Sequence, residues 1–172
     1  DFNDFVLPIC SILREEMEPN ANIKLNLDMR GSELKEKLIK TIPSDGTYPI
    51  TKTRFYYDPM FSCATQLSDK GKIEFSATKM IRLRNILKRG QRGKLKRKKK
   101  YKTTIILKVA LSLPWKATAQ GVEKEKVKQG EKRNTVVIQK KVVIPILAKL
   151  PLDDMIGLIG DAYSRFAVKK AA

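Results

Sequence analysis

Residues 101–113, YKTTIILKVALSL, alternate between two sets of side chains. One set is apolar throughout: Ile105, Leu107, Val109, Leu111 and Leu113. The intervening set is less apolar: Ile106, Lys108, Ala110 and Ser112. A period of two is typical of a β-strand with one buried face. The segment therefore predicts a strand that ends at Pro114-Trp115, and with it a sheet.

The most basic part of the chain lies directly before this strand and overlaps its start, in residues 79–102, KMIRLRNILKRGQRGKLKRKKKYK. Thirteen of these 24 residues are Lys or Arg and none is acidic. The net charge is −2 for residues 1–74, +15 for residues 75–122 and +5 for residues 123–172. Like charges at this density repel one another, so we expect an external polyanion to neutralise them.

We predict that this basic segment binds its polyanion without reading a sequence. Lysine outnumbers arginine in residues 94–102, which favours charge neutralisation over geometric recognition. Tyr101 is the only aromatic residue within 79–102, which favours a phosphate backbone or a membrane over stacking on bases. The predicted polyanion-binding residues are Lys79, Arg82, Arg84, Lys88, Arg89, Arg92, Lys94, Lys96, Arg97, Lys98, Lys99, Lys100 and Lys102.

Two conformations are expected within the basic segment. Residues 79–89 fit a basic amphipathic helix, with an apolar stripe of Met80, Leu83, Ile86 and Leu87. Ile81 and Leu83 would also suit a strand, so that alternative stays open. Residues 94–100, KLKRKKK, have almost no apolar content, and we expect a solvated loop there.

The composition argues against several functional classes. The chain has no histidine, which removes the commonest general base and the commonest metal ligand. Cys10 and Cys63 are the only cysteines, so we expect reduced thiols in a cytosolic or nuclear setting, with no zinc site. No apolar run reaches the roughly 18 residues that a membrane-spanning helix needs. We expect a protein that is not an enzyme and that needs no cofactor and no metal.

Other patterns extend the predicted sheet on the N-terminal side. Residues 23–29 alternate strictly and predict a strand, and residues 32–42 predict a helix that ends at Pro43. The further predicted strands are 50–57, 60–67 and 72–78, the last two joined by a turn at 68–71. Their aromatic residues, Tyr56, Tyr57, Phe61 and Phe75, are expected mostly in the core.

The ends of the chain are predicted to be helical. Residues 1–18 form a short amphipathic helix, and residues 151–168 form a C-terminal helix with Asp153 and Asp154 in its first turn. Between them, residues 116–133 lack hydrophobic periodicity and predict a mobile loop, and residues 135–147 predict one or two strands. The apolar residues expected to join neighbouring copies are Phe5, Ile9, Ile12, Leu152, Ile156, Ile159 and Tyr163.

These patterns predict a single α+β domain with about five or six mainly antiparallel strands and three or four helices. We expect an N-terminal helical arm at 1–20 and a core domain at 21–172. The core domain would contain the basic segment 79–102, the mobile loop 116–133 and the C-terminal helix 151–168.

The chain resembles the matrix proteins of rhabdoviruses, especially the shorter ones of plant-infecting members. The strand Tyr101-Lys102-Thr103-Thr104-Ile105-Ile106-Leu107 is similar to a Tyr-Lys-x-Thr-Ile-x-Leu strand of that family. A strand at 23–29 followed by a helix at 32–42 is similar to the opening of the family's globular core. The chain departs from animal members in that its lysine cluster is central, and it has no Pro-Pro-x-Tyr motif.

The resemblance implies a viral structural protein that self-associates and lies between a ribonucleoprotein and an anionic membrane. Its partners would be the ribonucleoprotein or its RNA backbone, the lipid surface and other copies of itself. It would be found in the virion and in the host cytoplasm at the membrane, or in the nucleus. The alternative that the residues leave open is a nonspecific RNA-binding protein: ribosome-associated, an RNA chaperone, or a plant virus movement or coat protein.

Overall fold

The computed structural model describes residues 2–90, 93–114, 117–119, 126–145 and 149–168. A π-helical turn, Phe2–Val6, leads into helix α1, Leu7–Glu16, and a second helix, α2, spans Leu152–Ser164. A short 3₁₀ turn lies at Lys35–Lys37. The strands are β1 Lys24–Leu27, β2 Leu38–Ile42, β3 Ile50–Gln66, β4 Lys72–Arg89, β5 Leu95–Pro114, β6 Ala117–Ala119, β7 Lys126–Gln129, β8 Arg133–Ile144 and β9 Phe166–Val168.

One large antiparallel sheet dominates the molecule. Its strands run in the order β1-β3-β4-β5-β8-β7, and β2 pairs with β3 beside β1, which makes seven strands. Strands β6 and β9 form a separate two-stranded sheet. The predicted α+β class and the antiparallel pairing are confirmed. The described residues hold two α-helices, fewer than the three or four predicted.

The helix predicted at 32–42 is wrong. That segment makes only the 3₁₀ turn, and its second half is strand β2, which pairs with β3. The sequence of β2, LIKTI, is rich in β-branched residues, which favour strands over helices. Antiparallel pairing with the edge of the long strand β3 then makes this segment a strand.

The basic segment is also a strand pair and not a helix followed by a loop. Residues 79–89 form the second half of β4, and residues 95–102 form the first half of β5. Ile81 and Leu83 are buried on one face, as a period of two requires. Met80, Leu83, Ile86 and Leu87 fit a period of 3.6, while Ile81, Leu83 and Leu87 fit a period of two, and pairing with β5 selects the strand.

The segment predicted as a mobile loop at 116–133 contains strands where it is described. Strand β6 pairs with β9, and β7 pairs with β8. Residues 116 and 120–125 lie outside the described residues. The strand predicted at 135–147 is confirmed as one strand, β8, and residues 146–148 are outside the description. The C-terminal helix is α2, and the chain turns into β9 after it.

The core lies between the two helices and one face of the sheet, here called the inner face. From the sheet it takes Phe61, Phe75, Leu107 and Leu111, and from the helices Ile9, Leu13, Met155 and Leu158. Phe5 packs edge-to-face on Phe61, with ring centroids 5.6 Å apart. The N-terminal segment predicted as an arm therefore contributes fully buried side chains to the core.

Replacing Phe5 with alanine should lower the free energy of unfolding by about 3–5 kcal/mol, because it opens a cavity beside Phe61. Leu7→Ala is the matched control, since Leu7 belongs to the same segment but is exposed. Its effect should stay within about 0.5 kcal/mol. Denaturant unfolding monitored by circular dichroism measures both. Equal effects of the two variants would mean that the N-terminal segment is not part of the core.

Candidate polyanion-binding hairpin

Strands β4 and β5 form one long hairpin whose register continues without a break from Lys72 opposite Ser112 to Arg89 opposite Leu95. Its turn is closed by two backbone hydrogen bonds: Gly90 N–H donates to the carbonyl of Lys94 at 2.8 Å, and Gly93 N–H donates to the carbonyl of Gly90 at 3.0 Å. Gly93 has a φ of 72°, a left-handed conformation that favours glycine.

The hairpin has an apolar half and a basic half. In the apolar half, residues of both strands such as Phe75, Leu107 and Val109 are buried in the core. In the basic half, which we call the basic hairpin (residues 82–89 of β4 and 95–102 of β5), every residue from 95 to 100 is exposed. The sheet thus carries the charged strands past the end of the core.

Because side chains alternate along a strand, the basic hairpin has cations on both faces. On the face opposite the helices, here called the outer face, lie Arg82, Arg84, Lys88, Lys96, Lys98, Lys100 and Lys102. On the inner side lie Arg89, Arg97 and Lys99. Lys94 is in the turn, and Arg92 lies outside the described residues. Lys79 is on the inner face, half-buried and opposite Asp58 in the register.

Like charges face each other directly across this strand pair. Arg82 is opposite Lys102, Arg84 is opposite Lys100, and Lys88 is opposite Lys96. Within the described ranges, the cations of the basic hairpin make no ion pair with a carboxylate. Cross-strand pairs of like charge are destabilising, so an anion that neutralised them would stabilise this strand pair.

Two rings of the outer face extend this surface, and the sequence reasoning assigned neither of them to it. Tyr57 was expected in the core but is 46% exposed, whereas Tyr56, Phe61 and Phe75 are buried as predicted. Phe55 lies on the same face as Tyr57, directly opposite Arg82. The register of β3 shifts between Pro59 and Phe61. That shift reverses which residues of β3 point inward. Pro59 marks its place in the sequence, because proline within a sheet is confined to edges and bulges, but the direction of the shift is set by the pairing with β4.

The residues predicted for self-association fall into two groups. Ile9 and Ile12 of α1 and Ile156, Ile159 and Tyr163 of α2 line one apolar cleft of about 40 Å³, here called the helix cleft. Ile12 is 41% exposed and Ile156 is 39% exposed. Phe5 and Ile9 are almost fully buried in the core of their own chain, so neither is accessible to a neighbouring copy, and Leu152 packs against that core.

A second, larger cleft of about 730 Å³ lies away from the basic hairpin. It is lined by residues of both charges, among them Glu18, Lys24, Lys72 and Glu74. Gln66 in its wall donates a hydrogen bond to the carboxylate of Glu18 at 2.7 Å. Such a mixed lining does not attract a polyanion, in contrast to the uniformly cationic surface of the basic hairpin.

A buried ion-pair cluster fixes the loop at residues 28–37 to strand β3, next to the hairpin. The ammonium of Lys37, which is only 6% exposed, lies 2.7 Å from a carboxylate oxygen of Asp58 and 3.1 Å from one of Asp28. Ser32 donates a hydrogen bond to the other oxygen of Asp58. Arg30 reaches Asp28 at 2.9 Å and Glu36 at 2.6 Å.

The pKa values of this cluster follow from these contacts. Burial works against the charged form of Lys37, but the hydrogen bonds with Asp58 and Asp28 outweigh it and raise the pKa of Lys37. Hydrogen bonds from Arg30, and then from Lys37, hold the pKa of Asp28 well below its usual range. Both groups therefore stabilise the fold most at neutral pH: the contribution of Asp28 is lost towards acid pH, and that of Lys37 towards strongly alkaline pH.

The described residues offer few groups for other kinds of site, such as a metal centre or a reactive thiol. They contain no cluster of three or more side chains that could hold a metal ion, and no helix long and apolar enough to cross a membrane. Burial, and then the nearby Cys10, raises the pKa of the Cys63 thiol to about 12, so this thiol stays protonated at neutral pH.

Comparison of the chain with protein-family models, with curated proteins and with solved structures finds no match.

Asp58→Ala should lower the free energy of unfolding by about 3–5 kcal/mol, because it leaves the buried ammonium of Lys37 without its closest counter-charge. The double variant Lys37→Met with Asp58→Leu is the control, since it removes both charges and keeps apolar volume. Denaturant unfolding at neutral pH should rank the double variant above Asp58→Ala. An Asp58→Ala variant as stable as the unchanged protein would contradict this account of the cluster.

Proposed function

We propose that this protein is a structural assembly protein of the matrix type, which binds the phosphates of a ribonucleoprotein through the basic hairpin and joins neighbouring copies through the helix cleft. The observation that carries the proposal is the basic hairpin itself. It holds cations on both faces, opposite one another across the strands, without a carboxylate to neutralise them in the described residues.

The distribution of charge over two faces favours RNA as the first partner. A flat bilayer meets one face of a hairpin at a time, so either the outer cations or Arg89, Arg97 and Lys99 would stay unneutralised. An RNA backbone bends and passes on both sides of a protruding strand pair. Neutralising the phosphates releases counterions, which drives binding and makes it depend steeply on salt.

The helix cleft supports the self-association part of the proposal. Its exposed residues, Ile12 and Ile156, belong to different helices and border the same apolar depression. An apolar side chain from a neighbouring copy would be removed from water there, at about 25 cal/mol for each Å² buried. A layer of copies joined in this way would present many basic hairpins to one polymer, and multivalency would strengthen the binding of each.

An anionic membrane is the second candidate partner, and the tip of the basic hairpin favours it. Leu95 at the tip is 62% exposed and stands between Lys94 and Lys96. Tyr48 and Ile50, at the start of β3, are exposed as well. An apolar side chain beside lysines suits the interface between headgroups and acyl chains, where each cation adds about 1 kcal/mol.

Replacing Lys96, Arg97, Lys98, Lys99 and Lys100 with serine should abolish binding to RNA at physiological salt. The slope of log K against log salt should fall by about 0.7 for each phosphate that the variant no longer neutralises. The measurement is fluorescence anisotropy of a labelled RNA over a salt series, beside flotation with vesicles that contain or lack phosphatidylserine. The melting temperature should not fall, because these side chains are exposed.

The matched control removes the same charge elsewhere, at the exposed residues Lys24, Lys35, Lys72, Lys128 and Lys132. It should keep most of the binding. If both variants bind RNA equally poorly, net charge and not the hairpin is responsible, and the proposal fails. If the five-serine variant of the basic hairpin loses vesicle flotation but keeps RNA binding, the partner of the hairpin is an anionic membrane and not RNA.

Ile12→Ser combined with Ile156→Ser should weaken self-association without unfolding the protein, because both side chains border the helix cleft and are partly exposed. Sedimentation velocity over a concentration series measures the effect. Leu25→Ser with Met29→Ser is the control pair, which removes exposed apolar side chains from another surface. Unchanged self-association in the cleft variant would show that neighbouring copies meet elsewhere.

A further inference from the structure

The outer face of the sheet carries two aromatic rings among its cations, two residues apart on β3. Tyr57 is opposite Met80, and Phe55 is opposite Arg82. Tyr57 and Met80 are both exposed, Met80 to 37%. Residues two apart on a strand point to the same face and are separated by about 6.8 Å. The two rings are thus separate platforms side by side along one strand.

Cations flank these rings on both sides. Phe55 has a cation as its register partner on each neighbouring strand: Lys40 on β2 and Arg82 on β4. Lys102 of β5 is in turn opposite Arg82, so these four residues form one row across the sheet. The next row towards the tip contains Arg84 and Lys100. Neighbouring strands lie about 4.8 Å apart, so several cations stand within two strand spacings of each ring.

The charge of Arg82 is not matched by the protein around it. Its Nε is buried and has no hydrogen-bond partner among the described residues. Arg82 forms no ion pair with a described carboxylate either, and its partner across the strands is Lys102. An anion placed over this row would neutralise Arg82 and Lys102 together.

We propose that the outer face binds single-stranded nucleic acid, with bases stacked on Tyr57 and Phe55 and phosphates on Lys40, Arg82, Arg84, Lys100 and Lys102. The inference deepens the proposed function and rests on it, because the basic hairpin supplies most of these phosphate contacts. A single strand carries its bases beside its phosphates, which matches two rings on β3 with cations on the neighbouring strands. In a duplex the bases are stacked on one another and offer no free face to the rings.

A bilayer fits this part of the surface less well. Phe55 is half-buried and lies between Lys40 and Arg82, so it cannot enter an acyl layer unless both cations enter with it. Charged groups below the headgroups are costly, whereas a base that slides over Phe55 leaves both cations beside its phosphates. The rings therefore favour a single strand over a lipid surface as the occupant of the outer face.

The test uses the full chain with Tyr57→Leu and Tyr57→Phe, since Tyr57 is exposed and neither change should disturb folding. The probes are a labelled uridine oligonucleotide, an RNA duplex of the same length and vesicles containing phosphatidylserine. Tyr57→Leu should weaken binding of the single strand about tenfold with an unchanged salt slope, because it removes a stacking platform and leaves every cation in place. Tyr57→Phe keeps the ring and should bind as the unchanged protein does.

Binding of the duplex and of the vesicles should be the same for all three proteins. Single-strand binding that is insensitive to Tyr57→Leu would overturn the inference, as would an equal weakening for single strand and duplex. A weakening confined to vesicles would assign the outer face to lipid. The five-serine variant of the basic hairpin separates the two proposals: if it abolishes RNA binding while Tyr57→Leu does not weaken it, the stacking inference fails and the proposed function stands.

Discussion

The unbroken pairing of β4 with β5 is the constraint on which the rest of the structure depends. The same two strands supply the centre of the core and the whole basic hairpin. Burying one side chain such as Leu107 or Leu111 stabilises the fold by about 1.5–3 kcal/mol. Two like charges 4 Å apart in water cost only about 1 kcal/mol. The apolar half of the hairpin therefore outweighs the repulsion in the basic half and holds it extended.

The cations of the basic half repel one another, which lowers the stability of the fold, and their exposure makes them accessible to an anion. The basic half is exposed at residues 93–100, and nearer the core Leu83 is buried against Tyr56 and Ile81, so its local stability comes from this small apolar cluster, the strand pairing and the turn at Gly93. A bound polyanion removes the repulsion between pairs such as Arg84 and Lys100, and in that way stabilises the folded state as it binds. The ion pair of Lys37 with Asp58 fixes the loop at 28–37 to strand β3, which pairs with the hairpin.

The conformation of a segment could be predicted where its own residue pattern decides it, and could not where a neighbouring strand decides it. Residues 101–113 and 151–168 have long, one-sided apolar patterns. The first is the predicted strand, and the second is the predicted helix over Leu152–Ser164, with Phe166–Val168 in a strand instead. Residues 79–89 fit a period of 3.6 as well as a period of two, so only the neighbouring strand could decide. Residues 94–100 have no pattern at all, and they are extended because 82–89 lie opposite them.

The candidate site, too, could be predicted only in part. The cations were found from the sequence because charge needs no knowledge of neighbours. The exposure of Tyr57 was missed because it depends on the register shift between Pro59 and Phe61, whose direction is set by strand pairing and not by single residues. The placement of Phe55 beside Arg82 is likewise a property of two strands together.

The two proposed surfaces do not compete for space. The helix cleft is formed by α1 and α2, which cover the inner face above the apolar half of the sheet. Tyr57, Arg82 and Lys100 lie on the outer face, with the thickness of the sheet between them and the helices. A copy docked in the cleft therefore leaves the outer face open, and a strand bound there leaves the cleft open. Because the helix cleft borders neither the outer face nor the inner cations of the basic hairpin, self-association and polyanion binding can proceed at the same time, as the proposed function requires.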